Sequence, residues 1–271
     1  MEALHVFFLT SPSPVTAEPF FPSIRLRRRR RDLPFSVEAG QQEIRVCTNR
    51  TCRKQGSFQT LETLSGLAPP NVAVKPCGCL GKCGAGPNVA VLPDGLIIAH
   101  CGTAARAAEV MMGLASEGEG SGSYDVKKSL DAFALRKRAE VEFEKQNFTE
   151  AELLLSQSIE LKPFGGIHVI YKCRSAVRLA LSNYSGALDD AREALALAPV
   201  YAEAYLYEGD ALLELKQFDS AEKSYLASID IDPSIRRSKA FKVAFNLWRQ
   251  LFRYLNHLYF IYLVTICFPV Y

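Results

Sequence analysis

The chain has 271 residues, of which 48% are apolar, so it can bury the core of one large domain or of two smaller ones. Its eight cysteines are too few to staple a chain of this length, which excludes a disulfide-rich miniprotein. The formal net charge of +3 conceals an uneven distribution, because residues 124–233 hold 19 acidic and 13 basic side chains and lie between basic ends.

Residues 1–39 are rich in Ser, Thr, Pro and Arg and contain no long apolar core. A secretory signal needs about 7 to 15 apolar residues behind a basic start, and this segment lacks them. It resembles a transit peptide, and its Pro and Ser content favours a chloroplast, either the stroma or the thylakoid surface. The alternatives are a disordered tail and a nuclear or nucleic-acid-binding signal at residues 27–31. No aromatic residues are interleaved with these arginines, so no nucleic-acid partner is expected.

Residues 40–115 have the pattern of a small β/α domain. Strands are predicted at residues 43–47, 71–76, 89–92 and 96–100. Pro93-Asp94-Gly95 has the turn chemistry of a hairpin between the last two strands. Helices are predicted at residues 57–66 and from the Thr103 cap to about residue 116.

Two pairs of cysteines follow the first two predicted strands, with the spacings Cys47-x4-Cys52 and Cys79-x3-Cys83. Two pairs on facing loops suit a [2Fe-2S] cluster, in which each iron binds two thiolates. Cations near such a cluster stabilise its reduced, more negative form and attract an acidic redox partner. The basic residues in the two loops are Arg50, Arg53, Lys54 and Lys82.

The segments CTNRTCRKQGS and CGCLGKCGAGPNVAVLPDG resemble those of thioredoxin-like [2Fe-2S] ferredoxins, including the ferredoxin-like subunit of respiratory complex I. The resemblance covers residues 40–115 and implies a thioredoxin-like fold with electron transfer or redox sensing. It implies four cluster ligands, namely Cys47, Cys52, Cys79 and Cys83. It also implies that three glycines let backbone N–H groups approach the sulfurs, at Gly81, Gly84 and Gly86.

Other roles for the cysteines stay open. Zinc is an alternative cofactor, although structural zinc sites usually show C-x2-C to C-x4-C pairs. A thiol–disulfide oxidoreductase needs C-x-x-C at a helix start, which this sequence lacks. Buried free cysteines among glycines would make a poor core. Cys77 could replace Cys79 as a ligand, whereas Cys101, Cys173 and Cys267 are interpreted as packing residues.

Residues 116–123 have the composition of a flexible linker, and the sequence then repeats itself. Residues 135–163, 171–199 and 205–233 align, at intervals of 36 and 34 residues, which matches the tetratricopeptide-repeat period of 34. Each unit predicts a helical hairpin that ends at a proline. A small residue lets its two helices approach, at Ala139, Ser175 and Gly209. Gly165 and Gly166 accommodate the two extra residues of the first interval.

Stacked tetratricopeptide repeats bind proteins on their concave face, so we expect a protein partner there and no enzymatic activity. In the family members that clamp the C-terminal carboxylate of chaperones, basic or amide side chains line this groove. The corresponding positions here are Arg136, Glu140, Cys173, Glu203 and Tyr207. Only the first suits a carboxylate, so we expect the groove to reject acidic chaperone termini and to accept a basic or apolar segment. The alternative is that the repeats are only a spacer.

Residues 234–271 combine a predicted capping helix, residues 235–253, with 18 uncharged residues that touch the lower limit for a membrane span. Membrane contact, packing as a cap and an alternative chain end all remain open. The sequence thus predicts an α/β thioredoxin-like ferredoxin domain followed by an all-α tetratricopeptide-repeat solenoid. The main hypothesis is a plastid electron-transfer or redox-sensing protein that docks a partner. The alternative is a co-chaperone-like assembly adaptor with a structural cluster or zinc.

Overall fold

The computed structural model describes residues 42–115, 125–237 and 241–242. The predicted transit peptide at 1–39, the predicted linker at 116–123 and most of the predicted tail at 234–271 lie outside these residues. In the part of the chain that the structure describes, no helix is both long and apolar enough to cross a membrane.

A four-stranded sheet contains strands β1 (Gln42–Cys47), β2 (Val72–Cys77), β3 (Val89–Leu92) and β4 (Leu96–Ile98), in the order β2-β1-β3-β4. Strand β1 pairs parallel with β2 and antiparallel with β3, and β4 is antiparallel to β3. All four predicted strands are confirmed, but the last one ends at Ile98, two residues early, because residues 99–102 form no ladder.

Three helices accompany the sheet: α1 (Arg50–Lys54), α2 (Ser57–Leu67) and α3 (Ala104–Ala115). Helix α2 is the crossover that two neighbouring parallel strands require. Apolar residues of β1, β3, α2 and α3 form one core, which includes Ile44, Val46, Leu64, Leu67, Val89 and Met111. The predicted cap of α3 is confirmed, since Thr103 Oγ1 accepts a hydrogen bond from the Arg106 N–H at 3.2 Å.

Six further helices form three antiparallel hairpins. They are α4 (Val126–Glu144), α5 (Phe148–Glu160), α6 (Ile167–Ala180), α7 (Tyr184–Leu197), α8 (Ala202–Glu214) and α9 (Phe218–Ile231). The first helices of consecutive repeats contact one another, α4 with α6 and α6 with α8. These helices match the three predicted repeats, so the C-terminal half of the described chain is a helical solenoid.

Small residues bring the two helices of each hairpin together, as the repeat pattern predicts. Ala139 and Ser175 are buried, and the Ser175 hydroxyl donates to the Ala187 carbonyl at 2.8 Å. A Cβ at Gly209 would lie 2.5 Å from the Tyr225 ring, which is closer than a methyl group can approach. Contact at these positions therefore depends on the absence of a larger side chain.

The sheet and the first repeat share one core, which the sequence gives no reason to expect. Val126, Leu130 and Phe133 of α4 pack against the apolar core of the sheet domain. The backbone approaches closely as well: the Gly166 N–H donates to the Ala68 carbonyl at 3.2 Å, and a Cβ at Gly166 would overlap the Gly66 carbonyl. Gly165 and Gly166, between repeats one and two, therefore allow the first repeat to pack against the backbone of helix α2.

The last repeat is covered by residues that follow it. Pro233–Arg237 form a 3-10 turn in which Ile235 is buried, where the sequence predicts the start of an α-helix. Phe241 is also buried and meets the Tyr225 ring edge-on, with 6.1 Å between ring centroids. The rest of the predicted capping helix lies outside the described residues.

Candidate functional site

The cysteine loops lie at one edge of the sheet because of how β1 and β2 pair. The two strands are parallel neighbours, and their register places Cys47 opposite Cys77. The loops that follow both strands therefore leave the sheet at the same edge. Cys52 lies in the single helical turn α1, and Cys83 begins a 3-10 turn.

The four predicted ligands differ in exposure. Cys47 and Cys52 are each 1% exposed, whereas Cys79 and Cys83 are exposed to solvent. The Sγ atoms of Cys79 and Cys83 are 3.5 Å apart. The Gly81 N–H lies 3.4 Å from the Cys79 Sγ, as predicted for a glycine in this loop.

The thiols affect one another electrostatically. Burial raises the pKa of Cys52, and the neighbouring Cys47 and Cys79 add to this effect. The Gly81 N–H lowers the pKa of Cys79, which favours its thiolate, and its neighbour Cys83 has a raised pKa because it is hydrogen-bonded to Cys79. The thiols of the two loops thus affect one another's ionisation.

Neighbouring residues pack tightly around Cys52. A Cβ at Gly86 would lie 2.7 Å from the Cys52 Sγ, so only glycine fits there. The Asn88 side-chain amide donates to the Lys82 carbonyl at 2.7 Å and lies 3.8 Å from the same sulfur. A Cβ at Gly84 would meet nothing within 4 Å, and the approach of its N–H to a sulfur stays a prediction.

In the described segments, no group of three or more His, Cys, Asp or Glu side chains could hold a metal ion. A [2Fe-2S] cluster requires a different arrangement, two pairs of thiolates on two irons. Cys77 is half-buried at the end of β2, where burial first and then the charges of Cys47, Cys52 and Cys79 raise its pKa. It therefore lies near three of the four predicted ligands.

The groove is defined here as the face of α4, α6 and α8 that carries the five predicted clamp positions. Two of these positions form an ion pair within α4, in which Arg136 Nη1 is 2.9 Å from Glu140 Oε1. A second pair joins α6 to α8, where Lys172 Nζ is 3.0 Å from Glu203 Oε2. The sequence analysis missed Lys172, which directly precedes the clamp position Cys173; its polar neighbours on α8 become apparent only in the fold.

The groove has a positive interior. Arg136 is 8% exposed, and the side chain of Lys172 is 18% exposed, whereas that of Glu203 is 55% exposed. Burial lowers the pKa of His168 to about 4, and the charges of Lys172 and Arg136 add to this effect. The imidazole is therefore neutral at pH 7, and its buried Nδ1 has no hydrogen-bond partner in the described structure.

The prediction that the groove rejects acidic chaperone termini is wrong. It treated Glu140 and Glu203 as unpaired acids, but Glu140 is paired with Arg136 and Lys137, and Glu203 with Lys172. Structural neighbours of the chain include the first TPR of Spaghetti (RPAP3) bound to the HSP90 peptide SRMEEVD and the second TPR domain of human RPAP3 in complex with the HSP70 peptide SGPTIEEVD.

Sequence comparison finds relatives for the helical part. The tetratricopeptide-repeat family matches residues 177–234. The STIP1 homolog of Dictyostelium discoideum is 40% identical over 92 residues, which are 34% of this chain and 16% of that protein. The Hsp70-Hsp90 organizing protein of Triticum aestivum is 37% identical over 98 residues, 36% of this chain and 16% of that protein. The chain thus spans less than a fifth of the length of these relatives.

Solved structures with similar folds cover the same region. The Sgt2 TPR domain from Aspergillus fumigatus has a TM-score of 0.44 and 18% identity, covering 52% of this chain and 88% of that one. The Spaghetti TPR has a TM-score of 0.41 and 23% identity, covering 47% and 95%. Neither relative is named as an enzyme, in agreement with the expectation that the repeats do no chemistry. Its helical part is a tetratricopeptide-repeat solenoid whose sequence resembles that of the Hsp70–Hsp90 organising proteins.

Proposed function

We propose that the chain is an adaptor whose groove docks the acidic C-terminal segment of a chaperone of the Hsp70 or Hsp90 kind. The observation that carries this proposal is the pair of largely buried cations, Arg136 on α4 and Lys172 on α6, whose charges both act on His168. The similarity of the repeats to Hsp70–Hsp90 organising proteins supports the same partner class.

The charges of the groove favour a ligand that ends in a carboxylate. Arg136 and Lys172 are held on two different helices, and both lower the pKa of His168, so their fields overlap. A buried cation gains more from an anion than an exposed one does, because water screens it less. Their present counter-ions, Glu140 and Glu203, are more exposed and thus more easily displaced.

Fluorescence anisotropy with the full chain and labelled SRMEEVD peptide tests this proposal. The matched ligand is the same peptide with a C-terminal amide, which lacks the terminal carboxylate. The free-acid peptide should bind more tightly than the amide. Lys172→Met should weaken binding, whereas Lys223→Met, an exposed lysine on α9, should not. Equal binding of the acid and the amide peptides would refute docking through the terminal carboxylate.

We also propose that the cysteine loops hold a [2Fe-2S] cluster, with Cys47 and Cys52 from one loop and Cys79 and Cys83 from the other. The donor set fits, since two pairs of thiols come from adjacent loops and the Gly81 N–H lies beside one of them. Bound there, the cluster would accept and release one electron. The protein would shield the Cys47 side of the site from water and leave the Cys79 side exposed for contact with a redox partner.

A thioredoxin-like fold of this domain belongs to the same proposal. The strand order β2-β1-β3-β4, with a helix between β1 and β2 and another after β4, supports it. Residues 1–39 would direct the protein to a chloroplast, as their composition suggests. The cluster and the adaptor role are compatible, because the cysteine loops and the groove are formed by different residues.

Anaerobic cluster reconstitution of the full chain tests the cofactor. A brown protein should give a reversible rhombic electron-paramagnetic-resonance signal after dithionite reduction. Cys79→Ala should abolish this signal, whereas Cys173→Ser, a cysteine outside the loops, should retain it. Cys77→Ser decides whether the fifth nearby thiol is a ligand. A colourless protein with stoichiometric zinc, or with no metal, would refute the cluster.

A further inference from the structure

The ammonium group of Lys172 is the centre of a small polar cluster in the groove. It is 3.0 Å from Glu203 Oε2, and the same oxygen accepts a hydrogen bond from the Tyr201 hydroxyl at 3.1 Å. The side chains of Cys173 and Tyr207 are close enough to affect it electrostatically. Within the described residues, Glu203 is the carboxylate paired with Lys172.

The two partners of this ion pair differ in how they are held. Lys172 projects from the middle of α6, and its side chain is 18% exposed. Glu203 lies in the first turn of α8, and its side chain is 55% exposed. A lysine whose stem is buried has few alternative positions, whereas a half-exposed glutamate can turn into water at little cost.

We infer that Lys172 is an anion-binding site for the terminal carboxylate of an acidic peptide, and that Glu203 occupies this site until the peptide displaces it. This inference rests on the proposed docking function and names the residues that set its affinity. A carboxylate from the peptide would take the place of the Glu203 carboxylate, so Lys172 would stay paired in both states. Leaving a buried cation unpaired would be costly, and this exchange avoids it.

The pKa values agree with this geometry. Burial disfavours the charged form of Lys172, but the neighbouring Cys173, Tyr201 and Glu203 outweigh burial and raise its pKa. Burial would raise the pKa of Glu203, yet Lys172 and the Tyr201 hydroxyl lower it overall. Both groups are therefore charged at neutral pH, and the competition is between two carboxylates for one ammonium.

The experiment compares variants of the full chain in the anisotropy titration with labelled SRMEEVD peptide. Glu203→Gln removes the competing charge and should tighten binding on the order of tenfold, which corresponds to about 1.4 kcal/mol. Tyr201→Phe removes the second hydrogen bond to Glu203 and should give a smaller gain. Glu193→Gln, an exposed glutamate on α7, is the control and should leave the affinity unchanged.

The increase in peptide affinity caused by Glu203→Gln must depend on Lys172. In the background of Lys172→Met, adding Glu203→Gln should no longer increase the affinity. If the wild type binds the peptide but Glu203→Gln leaves the affinity unchanged or lowers it, the inference is overturned and the docking function stands. If neither protein binds the peptide, both are overturned. Binding by Glu203→Gln alone would support the inference, since it would show a site blocked by its own glutamate.

Discussion

Gly166→Ala tests whether the sheet domain and the first repeat are packed as one unit. Gly166 has φ +69°, a left-handed conformation that costs an L-residue about 1 to 2 kcal/mol. A Cβ there would also overlap the Gly66 carbonyl of α2. This second contact is with backbone, which cannot turn away, so overpacking adds about 1 to 3 kcal/mol.

The expected total loss is about 2 to 5 kcal/mol, out of the 5 to 15 kcal/mol that is usual for a folded domain. Urea denaturation followed by far-UV circular dichroism measures it. The control is Gly113→Ala in α3, where a methyl group would meet no atom within 4 Å and should stabilise the helix by about 0.5 to 1 kcal/mol. A loss of only about 1 kcal/mol for Gly166→Ala would mean backbone strain alone and would refute close packing of the two domains.

Three further predictions concern the repeats. Burial raises the pKa of Asp210 to about 6, so the protonated carboxyl contributes to the stability of the fold below about pH 4, and this contribution is lost as the pH rises through 6. Asp210→Asn should therefore raise the free energy of unfolding by about 1 to 2 kcal/mol at pH 7 and flatten its pH dependence between pH 4 and 6, as measured by urea denaturation. Ser175→Ala removes a buried 2.8 Å hydrogen bond and should cost about 1 kcal/mol in the same assay. Tyr207→Arg places a cation beside Glu203 and should tighten SRMEEVD binding several-fold by anisotropy; weaker binding would contradict a carboxylate ligand.

Much of the fold follows from local sequence patterns. Strands with β-branched residues and repeats with a fixed interval are short-range signals, and both were read correctly. The helical turn α1 was missed because five residues, Arg50–Lys54, are too few for a helical periodicity. The shared core was missed because Phe133 and Gly166 lie outside the three aligned repeats, and no local pattern indicates that a second domain covers them.

The groove shows where residue-by-residue comparison with a motif fails. Counting charges at the five clamp positions predicted an acidic groove, because Glu140 and Glu203 were assigned no partners. The partner Lys172 lies one residue outside the motif, and the ion pair joins helices that are far apart in sequence. The net charge of a surface depends on such pairs, so it requires the fold.

The stripe of apolar residues along α4 has a consequence for dissecting the protein. Repeat arrays need their end faces covered, and here the sheet domain covers the N-terminal face through Val126, Leu130 and Phe133. A fragment that begins at Val126 would expose this stripe to water and should aggregate on expression. Point variants in the intact chain are therefore the sound way to separate the two proposed functions, because the cysteine domain also covers the N-terminal end of the solenoid.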